Sequence, residues 1–233
     1  HWAARWDDLE TANLLIKGGA NVKVANRYHV TPLSLACTNG NAAMIELLLK
    51  AGADANTVLP GGETALMTAA RTGKADAVKV LLVHGANANA DEGEGQTALM
   101  WAAAEGNTAA VTMLLEFGAN VHATSKGGFT PLLFAIREGR ADSVRALLKA
   151  GANPNEVMTR SQRARSNSAS YSFAGTSALL LAVANGHFEL ASSLLDAGAD
   201  PNTNGRGWTP LHEITWVRKP GTGTNDPAPI GSG

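Results

Sequence analysis

The chain has 233 residues, 45% of them hydrophobic and 17% charged, with a formal net charge of −1. That length allows one or two ordinary domains or one elongated array. Near-neutral charge argues against a general binder of nucleic acid or membrane surfaces, which needs a basic field to recruit phosphates.

In chain order, residues 1–21 read as a first helical unit that lacks its opening. Ala3 and Ala4 take the small-residue sites of a first helix, Leu14 and Leu15 the paired-leucine site of a second, and Gly19-Ala20-Asn21 the stop. Asp7 stands where later units carry glycine. The chain starts at His1 without methionine, which reads as a fragment or processed chain, with any signal peptide upstream.

The next unit, Thr31 to Asn56, shows the local physics. Thr31 caps a helix with its hydroxyl, and Pro32 takes the first helical position, where no amide hydrogen is needed. Leu33, Ala36 and Cys37 fall on one helical face, and Gly40 ends the helix through positive φ. Met44, Ile45, Leu48 and Leu49 then form the buried stripe of a second helix that Gly52 terminates. An extended stretch with a turn leads to the next threonine. The opening residue recurs at Thr31, Thr64, Thr97 and Thr130, every 33 residues, which is the signature of a repeat architecture. Ser177 opens a sixth unit after 14 extra residues, and Thr209-Pro210-Leu211-His212 opens a seventh with room for a first helix only. The Pro- and Gly-rich residues 217–233 read as an irregular tail.

Over residues 1–216 this phased set resembles an ankyrin-repeat array. TPLH-type openings, a glycine between helices, paired leucines and a GA(D/N)xN close recur in six or seven copies, the first and last incomplete. The phrasing GGETALMTAARTG and GQTALMWAAAEG resembles bacterial ankyrin proteins more than animal ones. The resemblance implies an all-α solenoid of helix–turn–helix units with β-turn fingers and a concave groove lined by fingers and first helices. The opening histidine is kept only at His1 and His212; Ser34, Met67, Met100, Leu133 and Leu180 replace it, so its hydrogen bond to the threonine hydroxyl or nearby backbone is expected to be lost.

Placed on that template, the groove positions are Trp2, Leu35, Trp101 and Phe134, four residues after each opening, with Trp6, Asn39, Arg71, Glu105 and Arg137 at the first-helix ends. Phe129 and Trp208 precede openings, and Tyr28 sits at a finger tip. Aromatic and arginine side chains dominate binding hot spots because they cover much area with few rotamers to freeze. The alternative for each residue is packing of repeat on repeat. The inserted finger, about residues 156–176, carries Arg160, Arg163, Arg165, Tyr171 and Phe173 among serines. It reads either as a tolerated surface insertion or as a finger that touches a partner.

Catalytic and metal signatures do not assemble. The six histidines scatter over different repeats, and the single Cys37 reads as a small buried thiol. Asp91, Glu92 and Glu94 cluster in one finger without a full calcium-loop pattern, and Gly61-Gly62 and Gly127-Gly128 lack the Lys-Ser/Thr of a phosphate loop. The expectation is therefore a non-catalytic scaffold with no cofactor and no metal that binds a protein or peptide, without nucleic acid or membrane insertion. Self-association through the incomplete terminal repeat is a further possibility. Rival readings are carbohydrate or cell-wall binding on the aromatic row, or a targeting arm of a larger protein.

Overall fold

The structure, a computed structural model, describes residues 1–59, 61–158, 175–204 and 207–217. Arg160, Arg163, Arg165, Tyr171 and Phe173 of the expected finger lie outside the described residues, as does the expected tail beyond Val217, which closes the last helix. The chain divides into two compact units, His1–Asn120 and Val121–Gly233.

Unit 1 is four helix pairs: α1 (Trp2–Arg5) and α2 (Leu9–Lys17), α3 (Pro32–Asn39) and α4 (Ala42–Lys50), α5 (Ala65–Thr72) and α6 (Ala75–Val83), α7 (Ala98–Glu105) and α8 (Thr108–Glu116). The first helices pack in succession, α1 on α3 on α5 on α7, and so do the second helices. In unit 2, α9 (Pro131–Arg137), α11 (Ala178–Ala184) and α13 (Pro210–Val217) follow one another in the same way, with α10 (Ala141–Lys149) against α12 (Phe188–Asp196). Every named element among the described residues is a helix; the extended segments pair only as isolated bridges such as Val58 with Thr64 and Asp91 with Thr97.

Each first helix starts where its opening hydroxyl satisfies an end amide. The side chains of Thr31, Thr64, Thr97, Thr130 and Ser177 accept from the backbone N–H three residues on, at 3.1–3.4 Å. The small residues then let neighbours approach: Ala36, Ala69, Ala102 and Ala135 are fully buried. Leucines from both helices fill the space between layers, with Leu33, Leu66, Leu99 and Leu132 from the first and Leu48, Leu81, Leu114 and Leu147 from the second all buried. Burying one such leucine stabilises by about 1.5–3 kcal/mol, and neighbouring repeats supply part of the cover.

The end repeat shows this dependence. The bounds of α2 put Leu15 and Ile16, rather than Leu14 and Leu15, at the paired-leucine site, because α2 runs to Gly19 as α4 runs to Gly52. Leu14 and Leu15 are 63% and 54% exposed, since α2 has a second-helix neighbour on one side only, α4.

Polar ties join successive fingers. Asn56 donates to the Gly85 carbonyl and accepts from Asn87 N–H; Asn89 does the same with Gly118 and Asn120; Asn155 does it with Gly198 and Asp200. The expected loss of the histidine contact at the openings needs correction at four repeats. At one, Met67 Sδ accepts from the Thr64 backbone N–H at 3.4 Å. Ser34 Oγ lies 2.9 Å from the Thr31 hydroxyl, while Thr130 donates to the Glu156 carboxylate and Ser177 pairs with the Thr203 hydroxyl at 2.9 Å. Leu133 and Leu180 have no polar group to offer, so the next finger provides the partner. His212 keeps the direct contact, Nδ1 to Thr209 Oγ1, at 2.7 Å.

The inserted residues enter at a finger tip. Met158 N–H bonds the Thr176 carbonyl at 2.9 Å, as Ser125 N–H bonds Phe129 in the uninterrupted finger. The finger neck is thus the same with and without the insertion.

Two turn positions give a stability test. Gly73 has φ +72°, and a Cβ there would lie 2.5 Å from the Asn107 side chain, whereas Gly85 (φ +87°) faces open space. Gly85→Ala should cost about 1–2 kcal/mol from left-handed backbone alone. Gly73→Ala should cost about 1–3 kcal/mol more, because it displaces the Asn107 bonds to the carbonyls of Ala70 and Arg71. His29, at φ +57°, occupies the turn position held by glycine in later fingers, and His29→Gly should stabilise by about 0.5–1 kcal/mol. Urea unfolding of the three variants measures all of these differences.

Candidate functional site

Beyond capping, packing and finger ties, large side chains remain on first helices and fingers, and at second helices in Phe117, Phe188 and Leu195. In unit 1, Trp2 and Trp6 bracket α1, 77% and 64% exposed, with ring centroids 5.8 Å apart. Tyr28 is exposed in the first finger with the Arg27 guanidinium 4.8 Å from its ring. Leu35 is half-buried. Asn39 is exposed, yet its amide donates to the carbonyls of Ala4 and Arg5 at 3.3 and 2.8 Å and to the Asp7 carboxylate at 3.1 Å. It therefore ties α3 to the end of α1.

Arg71 and Trp101 come from consecutive repeats and meet. The Arg71 guanidinium carbon sits 5.2 Å from the centre of the half-buried Trp101 ring. The indole Nε1 is buried and has no hydrogen-bond partner among the described residues. Asn107 holds the Arg71 carbonyl at 2.9 Å, so both ends of the arginine are positioned. Glu105 is exposed at the end of α7.

Unit 2 builds a second arginine–aromatic cluster. Phe129, from the finger, and Phe134, on α9, have centroids 5.1 Å apart, and Arg137 lies 5.0 Å from each ring. Arg137 Nε also pairs with Glu138 at 2.8 Å. Phe134 is only 7% exposed, which departs from the open position expected for it. The fourth residue after the opening is likewise buried at Thr68 and Leu181, whereas Leu35 and Trp101 at the same position are half-buried. Trp208 is 43% exposed and meets His212 edge-on at 6.1 Å; Leu211 beside it is 70% exposed.

The structure thus brings together Arg71 with Trp101, and Phe129 with Phe134 and Arg137. It leaves Trp2, Trp6 and Tyr28 as solvent-facing rings. The sequence reading missed the ties made by Asn39 and Asn107. Their signal was positional: an amide side chain next to the glycine stop, beside a neighbour's open carbonyls. It also missed Glu156, whose signal was an acid in the finger after an opening that carries Leu133 in place of histidine.

The titratable groups are explained by the same framework. Cys37 is fully buried in α3, and burial pushes its thiol up to about 12, so thiolate is absent at neutral pH. In the acidic finger, the Glu92 carboxylate accepts from the backbone N–H of Glu94 and Gln96 at 2.9 and 3.1 Å, closing its own turn. Burial raises the Glu156 carboxyl above the usual range, opposed by the Thr130 hydroxyl, the nearby His122 and backbone at Asn153.

Comparison with known proteins bears on the same features. A family profile described as ankyrin repeats in three copies matches residues 1–92 and 75–158, and a single ankyrin-repeat profile matches residues 174–205. The chain is similar to a solved structure described as the ankyrin repeat domain of Bcl-3, a unique member of the IkappaB protein family. The two are 28% identical with a TM-score of 0.77, over 94% of this chain and 97% of that one. No curated protein matches the chain.

Glu156 yields a pH test. Because folding raises its carboxyl pKa, the linked stability is full below the unfolded value, about 4.3, and is lost as pH rises through the folded value. Glu156→Gln keeps an acceptor for Thr130 and removes the charge. Relative to the variant, the native chain should lose stability between acid and neutral pH, read as a change in the difference of urea midpoints.

Proposed function

Because this chain belongs to the ankyrin-repeat family, we propose that it is a non-catalytic scaffold that binds a protein or peptide segment on the first-helix and finger side of its units. The solved relative's domain and the repeat framework support a protein-interaction module. The observation that carries the finer reading is the Arg71–Trp101 stack, a large aromatic and a cation held together across two repeats without being used up in the core. Helix caps, leucine stripes and finger asparagines explain the recurring residues; the stack falls at positions the repeat leaves free. Trp2, Trp6 and Tyr28 extend the exposed aromatic surface of unit 1. In unit 2, Arg137 occupies the place of Arg71 and Phe134 that of Trp101, but Phe134 is buried and Phe129, from the finger, joins the same cluster.

A quantitative pull-down tests this reading. Trp101→Ala should weaken capture of the partner at least about tenfold, equivalent to about 1.4 kcal/mol, while urea unfolding stays cooperative. Tyr28→Ala, at an exposed finger position, should leave stability within about 0.5 kcal/mol of the native chain. Undiminished capture by Trp101→Ala would sink the proposal. A loss of about 3–5 kcal/mol in stability would instead place Trp101 among the core residues.

A further inference from the structure

The two arginine–aromatic clusters differ in one respect that bears on what each can receive. Arg137 is neutralised by Glu138 at 2.8 Å. Arg71 is exposed, and among the described residues no carboxylate or carbonyl takes its guanidinium N–H groups; its one side-chain contact is the Trp101 ring at 5.2 Å. The ring packs against the guanidinium at one end, and Asn107 holds the backbone carbonyl at the other. A guanidinium whose motion is already restricted loses less entropy on accepting a ligand, and its forked donors match the two oxygens of a carboxylate.

Resting on the binding reading above, we propose that Arg71 on Trp101 is a receptor for one carboxylate, an Asp or Glu side chain carried by the partner segment. The charge of unit 1 limits how acidic that segment is. Residues 1–120 hold eight Lys and Arg against twelve Asp and Glu, so a run of anionic groups is repelled while a single carboxylate aligned with Arg71 is attracted. The same imbalance disfavours a nucleic acid, whose backbone places a charge on every nucleotide. The partner is accordingly a segment that is apolar or basic apart from one acid.

The test selects peptides from a phage-displayed random library on the full chain and measures the affinity of each selected peptide by fluorescence anisotropy. Peptides whose binding requires Trp101 should carry one essential Asp or Glu. Changing that acid to Asn or Gln should weaken binding about tenfold or more, Arg71→Gln should do the same, and the two changes together should weaken it little further. Arg71→Lys should restore only part of the loss, since a point charge keeps attraction but not the fork. Coincident thermal melts for native chain and Arg71 variants keep the comparison about binding. Trp101-dependent peptides that need no acid, or losses that simply add, would overturn the carboxylate receptor while leaving the scaffold reading intact. Absence of any Trp101-dependent peptide overturns the scaffold reading itself. Arg71-dependent binding of a twenty-nucleotide oligothymidylate would assign the cation to nucleic acid and overturn the proposal as well.

Discussion

The structure depends on apolar contact between neighbouring repeats. A helix of seven to nine residues offers about two turns of apolar stripe, too little for an isolated pair to offset its chain entropy. Stacking changes this because α3, α5 and α7 are approached closely on their alanine faces while α4, α6 and α8 press leucines inward. Stability is then nearly a sum of repeat terms and neighbour terms, and a repeat at an end is weaker by the missing neighbour. Leu14 and Leu15, more than half exposed in α2, show that missing term directly.

Apolar stacking alone would not set register, because leucine ridges tolerate sliding. Directional ties fix it. Asn56, Asn89 and Asn155 each bridge a carbonyl and an amide of the next finger, and Asn107 clamps the end of α5. The opening hydroxyls form a second set, and their partners change with the sequence: serine in one repeat, histidine in another, Glu156 or Thr203 from the adjacent finger elsewhere. Thr31, Thr130 and Ser177 already accept a capping N–H, so these partners fill the hydroxyl's remaining capacity, each bond worth about 0.5–1.5 kcal/mol.

Much of this was legible in the sequence because the signals repeat. Thr31 with Pro32, and Gly40 after Asn39, each state a local rule, and copies every 33 residues make the rule unmistakable. The helix bounds, the buried leucines and the burial of Cys37 follow from that period. The candidate site was less legible. Phe134 was placed on the open side by its position, yet Phe129 and Arg137 fold over it, a contact set by residues particular to this repeat. The Arg71–Trp101 meeting spans thirty residues and depends on side-chain direction, which period alone does not encode. Asn39 was read as free because its position varies, whereas its amide is occupied by three acceptors.

The neck that joins Met158 to Thr176 has a consequence for how this chain tolerates change. Two further bonds secure it: Gly175 N–H to the Met158 carbonyl at 3.0 Å and Ala178 N–H to the Glu156 carbonyl at 2.9 Å. These bonds hold the two ends of the neck together next to the start of α11. Doubling the length of a loop closed by such a neck costs only about 0.6 kcal/mol, so the neck can carry segments of different length. Composition there can drift, lengthen or be replaced wholesale while α9 and α11 keep their spacing.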